Sequence, residues 1–242
     1  MTIQRYDASG NTFVIFHTKD EKDYSELAKT LCASEDTDGL IVIVPHDEFD
    51  FKWLFYNNDG SSASMCGNGT RAVAHYAYSN NLCGSDLDFL TEAGKISCTV
   101  DDDIVETTMT KPIIYNESFK EEGKEWFFVD TGVPHLVTMV DNLDLFNEEL
   151  CSRMRQAHNA NVNFASVKDG KLYVRTFERG VEGETLACGT GMVASFLKAL
   201  SLGVIKKSCN VYPKSGELIS IKKENDTIYF KGKVTYNYTK EV

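Results

Sequence analysis

The sequence predicts an α+β fold of two pseudo-symmetric domains, each a curved mixed β-sheet wrapped around a central helix. Three observations carry that prediction. A Cys-Gly-x-Gly motif occurs twice, at Cys66-Gly67-Asn68-Gly69 and at Cys188-Gly189-Thr190-Gly191. Each copy runs into a helical stretch that is apolar nearly all round, with Ala72 and Ala194 at the same offset from the cysteine. Around each helix lie many strand-length segments separated by turn signals. A repeat of so long a period indicates a duplicated domain rather than a solenoid, whose units are far shorter. A helix apolar on every side belongs in the middle of its domain.

The elements follow in order. Gly10 supplies a turn before a strand over Asn11–Phe16, and Leu27, Ala28, Leu31 and Cys32 have helical spacing within 24–32. Leu40–Pro45 is an unbroken apolar run of strand length, and 51–56 reads as a second strand. The dense turn signal at 57–62 leads into the first motif, whose helix runs to about Ser79. Strands at 87–90, 95–100 and 104–110 complete the first half, and Lys111-Pro112 marks the crossing point. In the second half, 126–129 and 136–140 read as strands, and a helix is expected over 146–157. Segments 162–167 and 172–177 form a hairpin across Lys168-Asp169-Gly170-Lys171. Gly203 stops the second motif helix, and short strands at 210–212, 218–222, 227–230 and 234–238 follow. The domains are expected to be 1–111, joined by a terminal strand at 233–242, and 112–232.

Hydrophobic content of 42% with 11% aromatics, in 242 residues, is enough for two real cores. The net charge of −11 argues against nucleic acid or an anionic membrane as partner, since both require a basic patch. No apolar run approaches a membrane span, and the first residues lack a signal-peptide core, so the expected location is the cytoplasm. Seven cysteines, scattered and without a Cys-x-x-Cys pair, make a poor disulfide framework and a poor metal site. Cys32, Cys98, Cys151 and Cys209 read as small hydrophobes and Cys83 as a loop residue. Only Cys66 and Cys188 share a context.

That context is chemical. A glycine turn opening a helix exposes N–H groups at the positive end of the macrodipole, where an anion is held. The same position lowers a thiol pKa from about 8.5 into the range ~3.5–7.5. Each motif therefore combines a reactive sulfur with an anion cradle, and the expectation is that the two halves present both cysteines to one substrate. Preservation of a turn after gene duplication explains the glycines, but it does not predict a thiol at both turns.

Gly10-Asn11-Thr12-Phe13, the run from Asn57 to Arg71, Thr131-Gly132-Val133-Pro134-His135, Asn161-Val162-Asn163-Phe164, Phe177-Glu178-Arg179-Gly180 and Glu184–Gly191 together resemble the cofactor-independent diaminopimelate epimerases. The resemblance covers essentially the whole chain. It implies interconversion of L,L- and meso-diaminopimelate, in the supply of lysine and peptidoglycan precursors, without pyridoxal phosphate or metal. It makes Cys66 and Cys188 the acid/base pair, and makes His135 and Glu184 candidates for orienting the substrate amine or supporting thiol ionisation. The Gly67-Asn68 and Gly189-Thr190 backbones would hold the α-carboxylate. Asn11, Asn57, Asn161, Glu178 and Arg179 become substrate ligands, Arg179 matching the distal carboxylate through its bidentate fork. The implied partner is the small-molecule substrate, with no nucleic acid or membrane and with room for a homodimer. Two departures stand out. The segment Glu178–Glu184 is one residue longer than the family's shortest form, which leaves Glu182 and Glu184 both open as its active-site glutamate. Asp36-Thr37-Asp38-Gly39 lacks a side-chain amide that some relatives carry before the strand at Leu40.

Three other readings compete. A two-cysteine racemase acting on proline, hydroxyproline or histidine would make poor use of Asn57, Asn161 and Arg179. A non-catalytic anion-binding module leaves the paired thiols unexplained. A pyridoxal phosphate enzyme lacks any recognisable lysine context.

Overall fold

The computed structural model describes residues 1–242. In chain order the elements are β1 (Thr2–Ala8), β2 (Asn11–His17), α1 (Ser25–Glu35), β3 (Gly39–Val44), β4 (Phe51–Asn57), α2 (Gly67–Ser79), β5 (Asp86–Thr91), β6 (Gly94–Asp101) and β7 (Ile104–Thr108). Then follow β8 (Ile113–Glu121), β9 (Lys124–Asp130), β10 (Pro134–Met139), a 3-10 turn (Leu143–Leu145), α3 (Glu148–His158), β11 (Asn161–Lys168), β12 (Lys171–Glu178) and β13 (Gly183–Thr185). The chain ends with α4 (Gly189–Ser201), β14 (Ser208–Tyr212), β15 (Ile219–Glu224), β16 (Thr227–Lys233) and β17 (Thr235–Glu241). Two compact units result. The first is Met1–Thr108 with Lys231–Val242, and the second is Met109–Phe230. No helix is long and apolar enough to cross a membrane.

In the first unit the strands lie in the order β17-β1-β2-β3-β4-β5-β6-β7, antiparallel except for the parallel neighbours β2/β3 and β4/β5. The second unit repeats the scheme as β8-β9-β10-β11-β12-β14-β15, with β10/β11 and β12/β14 parallel. Parallel neighbours need a crossover, and a helix supplies each one: α1 and α2 in the first unit, α3 and α4 in the second. The short β13 adds to the end of β12.

The crossover helices divide by face. Val14, Phe16, Leu40, Val42 and Val44 pack with Ala28, Leu31 and Cys32 of α1 in one buried cluster. Leu136, Val162, Phe164 and Phe177 pack with Leu150, Cys151 and Met154 of α3 in its counterpart. The alternate residues of the same strands turn toward α2 or α4, because side chains in a strand switch faces at every step. Helix α2 contacts β1, β2, β6 and β7, and α4 contacts β9, β10, β11, β12 and β14, so each sheet curls around its central helix. Val73, Ala74 and Ala77 of α2, like Met192, Val193, Ala194 and Phe196 of α4, are fully buried.

The hairpin expected across Asp169-Gly170 is present. Both residues have positive φ (52° and 70°), the requirement of a type I′ turn. Strands β1, β8 and β13 were not expected. Their sequences explain why: β8 is exposed along most of its length and its ladder to β9 shifts register twice, so no alternation survives in Ile113–Glu121.

Candidate active site

Each motif places its cysteine at the N-cap of a central helix. Cys66 is extended (φ −150°, ψ 111°), which turns its sulfur back over the first turn of α2, where Sγ accepts the Gly69 N–H at 3.3 Å. The same sulfur donates to Asn11 Oδ1 at 3.5 Å. Asn11 Nδ2 in turn donates to Asp38 Oδ2 at 3.0 Å, a carboxylate oxygen that also accepts the Thr12 N–H at 2.8 Å. Gly67 and Asn68 lie in the first helical turn, whose N–H groups have no acceptor within the helix. The Asn68 side chain is engaged elsewhere, since its Oδ1 accepts from the buried Arg71 guanidinium at 2.8 Å. Asn57, at the end of β4, donates to Ser61 Oγ at 3.0 Å.

The second half-site is more polar. Cys188 (φ −125°, ψ 109°) is buried, and its Sγ lies 3.5 Å from Thr190 Oγ1. Thr190 Oγ1 is 2.8 Å from Nε2 of His135, which is wholly buried. Asn163 Nδ2 lies 3.0 Å from His135 Nδ1, and Thr176 Oγ1 donates to Asn163 Oδ1 at 2.9 Å. Burial pushes the His135 imidazole down to about 3, the nearby Arg179 cation acting in the same direction. His135 is therefore neutral near pH 7. Asn161 Oδ1 accepts the Arg179 N–H at 2.7 Å, and the Arg179 guanidinium donates to Asn159 O at 3.0 Å. Gly191 is required by close approach, because a Cβ there would overlap Asn163 Oδ1 and press on His135.

Glu184 lies apart from the residues grouped around Cys188. It pairs with Phe177 across β12/β13, and Phe177 belongs to the α3 cluster. Its carboxylate forms ion pairs with Arg175 and Lys214 and is 3% exposed. Burial alone would raise its pKa, but these two cations outweigh it and hold the carboxyl below its usual range. Strand alternation thus puts Glu184 on the sheet face opposite the Cys188 network. Glu178, two residues beyond Thr176, falls on the α4 face with Asn161 and Asn163. Glu182, the other alternative, is exposed and pairs with Arg155.

The structure thus joins Asn11 to Cys66, and joins His135, Asn161 and Thr190 around Cys188. It also adds Asp38, Asn163 and Thr176, which were not among the expected residues. Asn163 was legible in Asn161-Val162-Asn163, where two asparagines at a spacing of two share one face of a strand. At Gly39, a Cβ would come within 2.6 Å of the Phe55 ring, so the position leaves no room for the side-chain amide that some relatives carry. Elsewhere burial pushes the Cys98 and Cys151 thiols up to about 12, the state of inert core residues. No group of His, Cys, Asp and Glu is arranged to hold a metal ion.

Comparison with known proteins follows the same division. The family model for diaminopimelate epimerase matches residues 5–115 and 127–237. A diaminopimelate epimerase of a Nitratiruptor species is 52% identical over 238 residues, covering 97% of this chain and 95% of that protein. A predicted epimerase of Pseudomonas aeruginosa has a TM-score of 0.79 at 12% identity, over 100% of this chain and 98% of that one. A probable proline racemase of Agrobacterium radiobacter K84 has a TM-score of 0.76 at 12% identity, over 100% and 92%. At such identities the last two speak to the fold alone.

Proposed function

Because the chain belongs to the diaminopimelate epimerase family, we propose that it interconverts L,L- and meso-diaminopimelate by proton transfer at the α-carbon between Cys66 and Cys188. The observation that carries this reading is the paired placement of a thiol at the N-cap of each central helix. Inversion needs a base on one face of the carbon and an acid on the other. One thiolate removes the α-proton while the other cysteine, as thiol, delivers a proton to the opposite face. The carbon is inverted and the two sulfurs exchange protonation states.

The α-proton of a zwitterionic amino acid is a very weak acid, so the charge that develops on its removal must be stabilised. In this reading the N–H groups of Gly67-Asn68 and Gly189-Thr190 receive the α-carboxylate. A preorganised donor of this kind is worth about 10²–10³ in rate. Asn11, Asn57, Asn161 and Arg179 bind the remaining polar groups, Arg179 taking the distal carboxylate. Glu178, rather than Glu184, acts with His135 on the substrate amine, consistent with the face on which it lies. The reaction supplies the meso isomer for lysine and peptidoglycan precursors, in the cytoplasm. A homodimer belongs to the same reading, with the exposed Ile113, Ile114 and Tyr115 of β8 as apolar surface, and light scattering at micromolar concentration tests it.

The decisive experiment is isotope exchange. Purified protein in deuterated water, without added cofactor, should bring deuterium into the α-position of L,L-diaminopimelate as the meso isomer forms. Epimerisation that survives in a Cys188→Ala protein overturns the two-thiol mechanism. Turnover of proline with none of diaminopimelate favours the ring-substrate alternative.

A further inference from the structure

An amide side chain carries a donor and an acceptor side by side, and its neighbours decide which of them faces a ligand. In the first unit carboxylates make that decision twice. We propose that Asp38, and Asp59 acting through Ser61, lock the Asn11 and Asn57 amides so that each presents its carbonyl oxygen to an ammonium group of the substrate. Asn161, in the second unit, is locked the other way and presents its N–H to a carboxylate. The ligand is that of the diaminopimelate reading, on which this assignment rests, and every lock lies within one unit.

The first lock starts at Asp38. A carboxylate can only accept, and Asp38 Oδ2 accepts from Asn11 Nδ2 at 3.0 Å, from the Thr12 N–H at 2.8 Å and from the Thr12 hydroxyl at 3.0 Å. Asn11 Nδ2 is committed to that side. Its Oδ1 lies on the other, 3.5 Å from Cys66 Sγ at the first motif. Turning the amide over would set its oxygen against the carboxylate. The backbone holds Asp38 in place, its N–H donating to Thr12 O at 3.0 Å and its carbonyl accepting the Asn58 N–H at 3.0 Å. That last bond joins Asp38 to the residue after Asn57, so one acidic residue borders both amides.

The second lock passes through a hydroxyl. Ser61 Oγ donates its only hydrogen to Asp59 Oδ1 at 2.6 Å. Toward Asn57 it offers lone pairs alone, and it accepts from Asn57 Nδ2 at 3.0 Å. The turn is braced by the Ser61 N–H on the same Asp59 oxygen and by the Asn57 N–H on Ser61 O, both at 2.8 Å. Asn57 therefore presents Oδ1. Each of the two amides donates into a chain that ends on a negative charge, which strengthens its carbonyl as an acceptor.

Asn161 is set by a group that can only donate. Its Oδ1 accepts the Arg179 backbone N–H at 2.7 Å, so Nδ2 is what it presents. An ammonium is favoured at Asn11 and Asn57 and a carboxylate is opposed there, which discriminates by repulsion as well as by attraction. Asp38, Asp59 and Ser61 act through the amides and are positioning residues.

Pimelate, with the carbon chain and carboxylates of diaminopimelate but no ammonium, separates orientation from mere folding. KM and kcat are measured for L,L-diaminopimelate, and pimelate is titrated as a competitive inhibitor of the same reaction. Ser61→Ala should raise KM about tenfold, the loss of one charge-assisted hydrogen bond, while the pimelate inhibition constant stays within about twofold. Asp38→Asn, which keeps an acceptor oxygen for Thr12, should do the same. Ser61→Thr, with the hydroxyl retained, should recover most of the Ser61→Ala loss. Asn161→Leu should weaken both ligands alike, since both bring carboxylates. Equal weakening of the two ligands in Ser61→Ala and Asp38→Asn, or an unchanged KM in both, overturns the locks. A wild-type protein that turns over no diaminopimelate sinks the underlying reading instead, a result distinct from equal weakening in an active enzyme.

Discussion

The N-terminus of α2 rests on hydrocarbon and that of α4 on a hydrogen-bonded network, although the two helices hold the same place in the same topology. Register makes the comparison residue by residue. Phe13 pairs with Gly39, and Ile41 with Phe55; in the second unit His135 pairs with Asn161, and Asn163 with Thr176. Phe13, Ile41 and Phe55 thus correspond to His135, Asn163 and Thr176. Duplication kept the backbone, with its glycine turns and parallel crossovers, while the layer beneath the helices diverged. The apolar version tolerates an orphan, since Trp53 Nε1 is buried without a hydrogen-bond partner. In the polar version His135, Asn163, Thr176 and Thr190 are linked by hydrogen bonds, which offsets their desolvation cost, although Thr185 Oγ1 opposite Thr176 is also buried without a partner. The first half can therefore vary in shape at modest cost, whereas the second transmits any displacement to His135.

The largest effects test what the halves share. Cys66→Ala and Cys188→Ala should each lower epimerisation by at least about 10³-fold, within the span of general acid–base catalysis. Loss confined to one variant would make the halves unequal in chemistry as well as in surroundings. The next prediction divides them. Gly191→Ala displaces Asn163 and should lower kcat/KM by about 10²-fold, the scale of a misplaced catalytic group. At Gly69 a Cβ meets Cys66 and Trp53 at 3.3 Å, and these can give way, so Gly69→Ala should cost about tenfold or less. Equal losses, measured on folded protein, would erase the distinction.

Stability differences are smaller. Glu184→Gln unpairs Arg175 and Lys214, which are 28% and 44% exposed and so partly screened. About 1–3 kcal/mol should be lost in urea unfolding, with kcat per folded molecule retained. A collapse of kcat at unchanged stability would return Glu184 to the chemistry. His135 contributes a pH dependence. Its folded pKa of about 3 lies below the unfolded value of about 6.5. Below pH ~6.5 the unfolded chain binds a proton that the folded chain refuses, so stability is complete above that pH and falls as pH drops toward 3. The contribution should be at most about 1.4 kcal/mol per pH unit, visible as a shallower slope in His135→Asn between pH 6.5 and 4.5. The smallest effect belongs to Glu182→Gln, whose exposed pair with Arg155 is screened by solvent, so the urea-unfolding midpoint should be nearly unchanged.

These contrasts also show how far the sequence could be read. The central helices were legible because no other place accepts a stretch apolar on every side, and the cysteines because glycines at a fixed offset announce a helix start. Gly170 with Asp169 announced its hairpin. Glu178, Glu182 and Glu184 sit in one acidic stretch, and the faces on which Glu178 and Glu184 lie are separated only by strand parity, read from buried Phe177. Asp38 was not singled out, since its value lies in the orientation of an amide 27 positions earlier. Strand β1 was missed because its buried Ile3, Tyr6 and Ala8 do not alternate, a register shift falling between Arg5 and Tyr6.

The pairing of β1 with β17 has a consequence for synthesis. Thr2 lies opposite Glu241, and the Val242 N–H donates to Met1 O at 2.8 Å, so β1 is completed by a strand made after the whole of the second unit. On a ribosome the second unit has its whole sequence once Phe230 has emerged. The first unit, begun earlier, keeps one edge of β1 unpaired until β17 has been made. An open strand edge invites pairing with other chains, so the unit made first spends longest exposed to misassembly and folds to completion last.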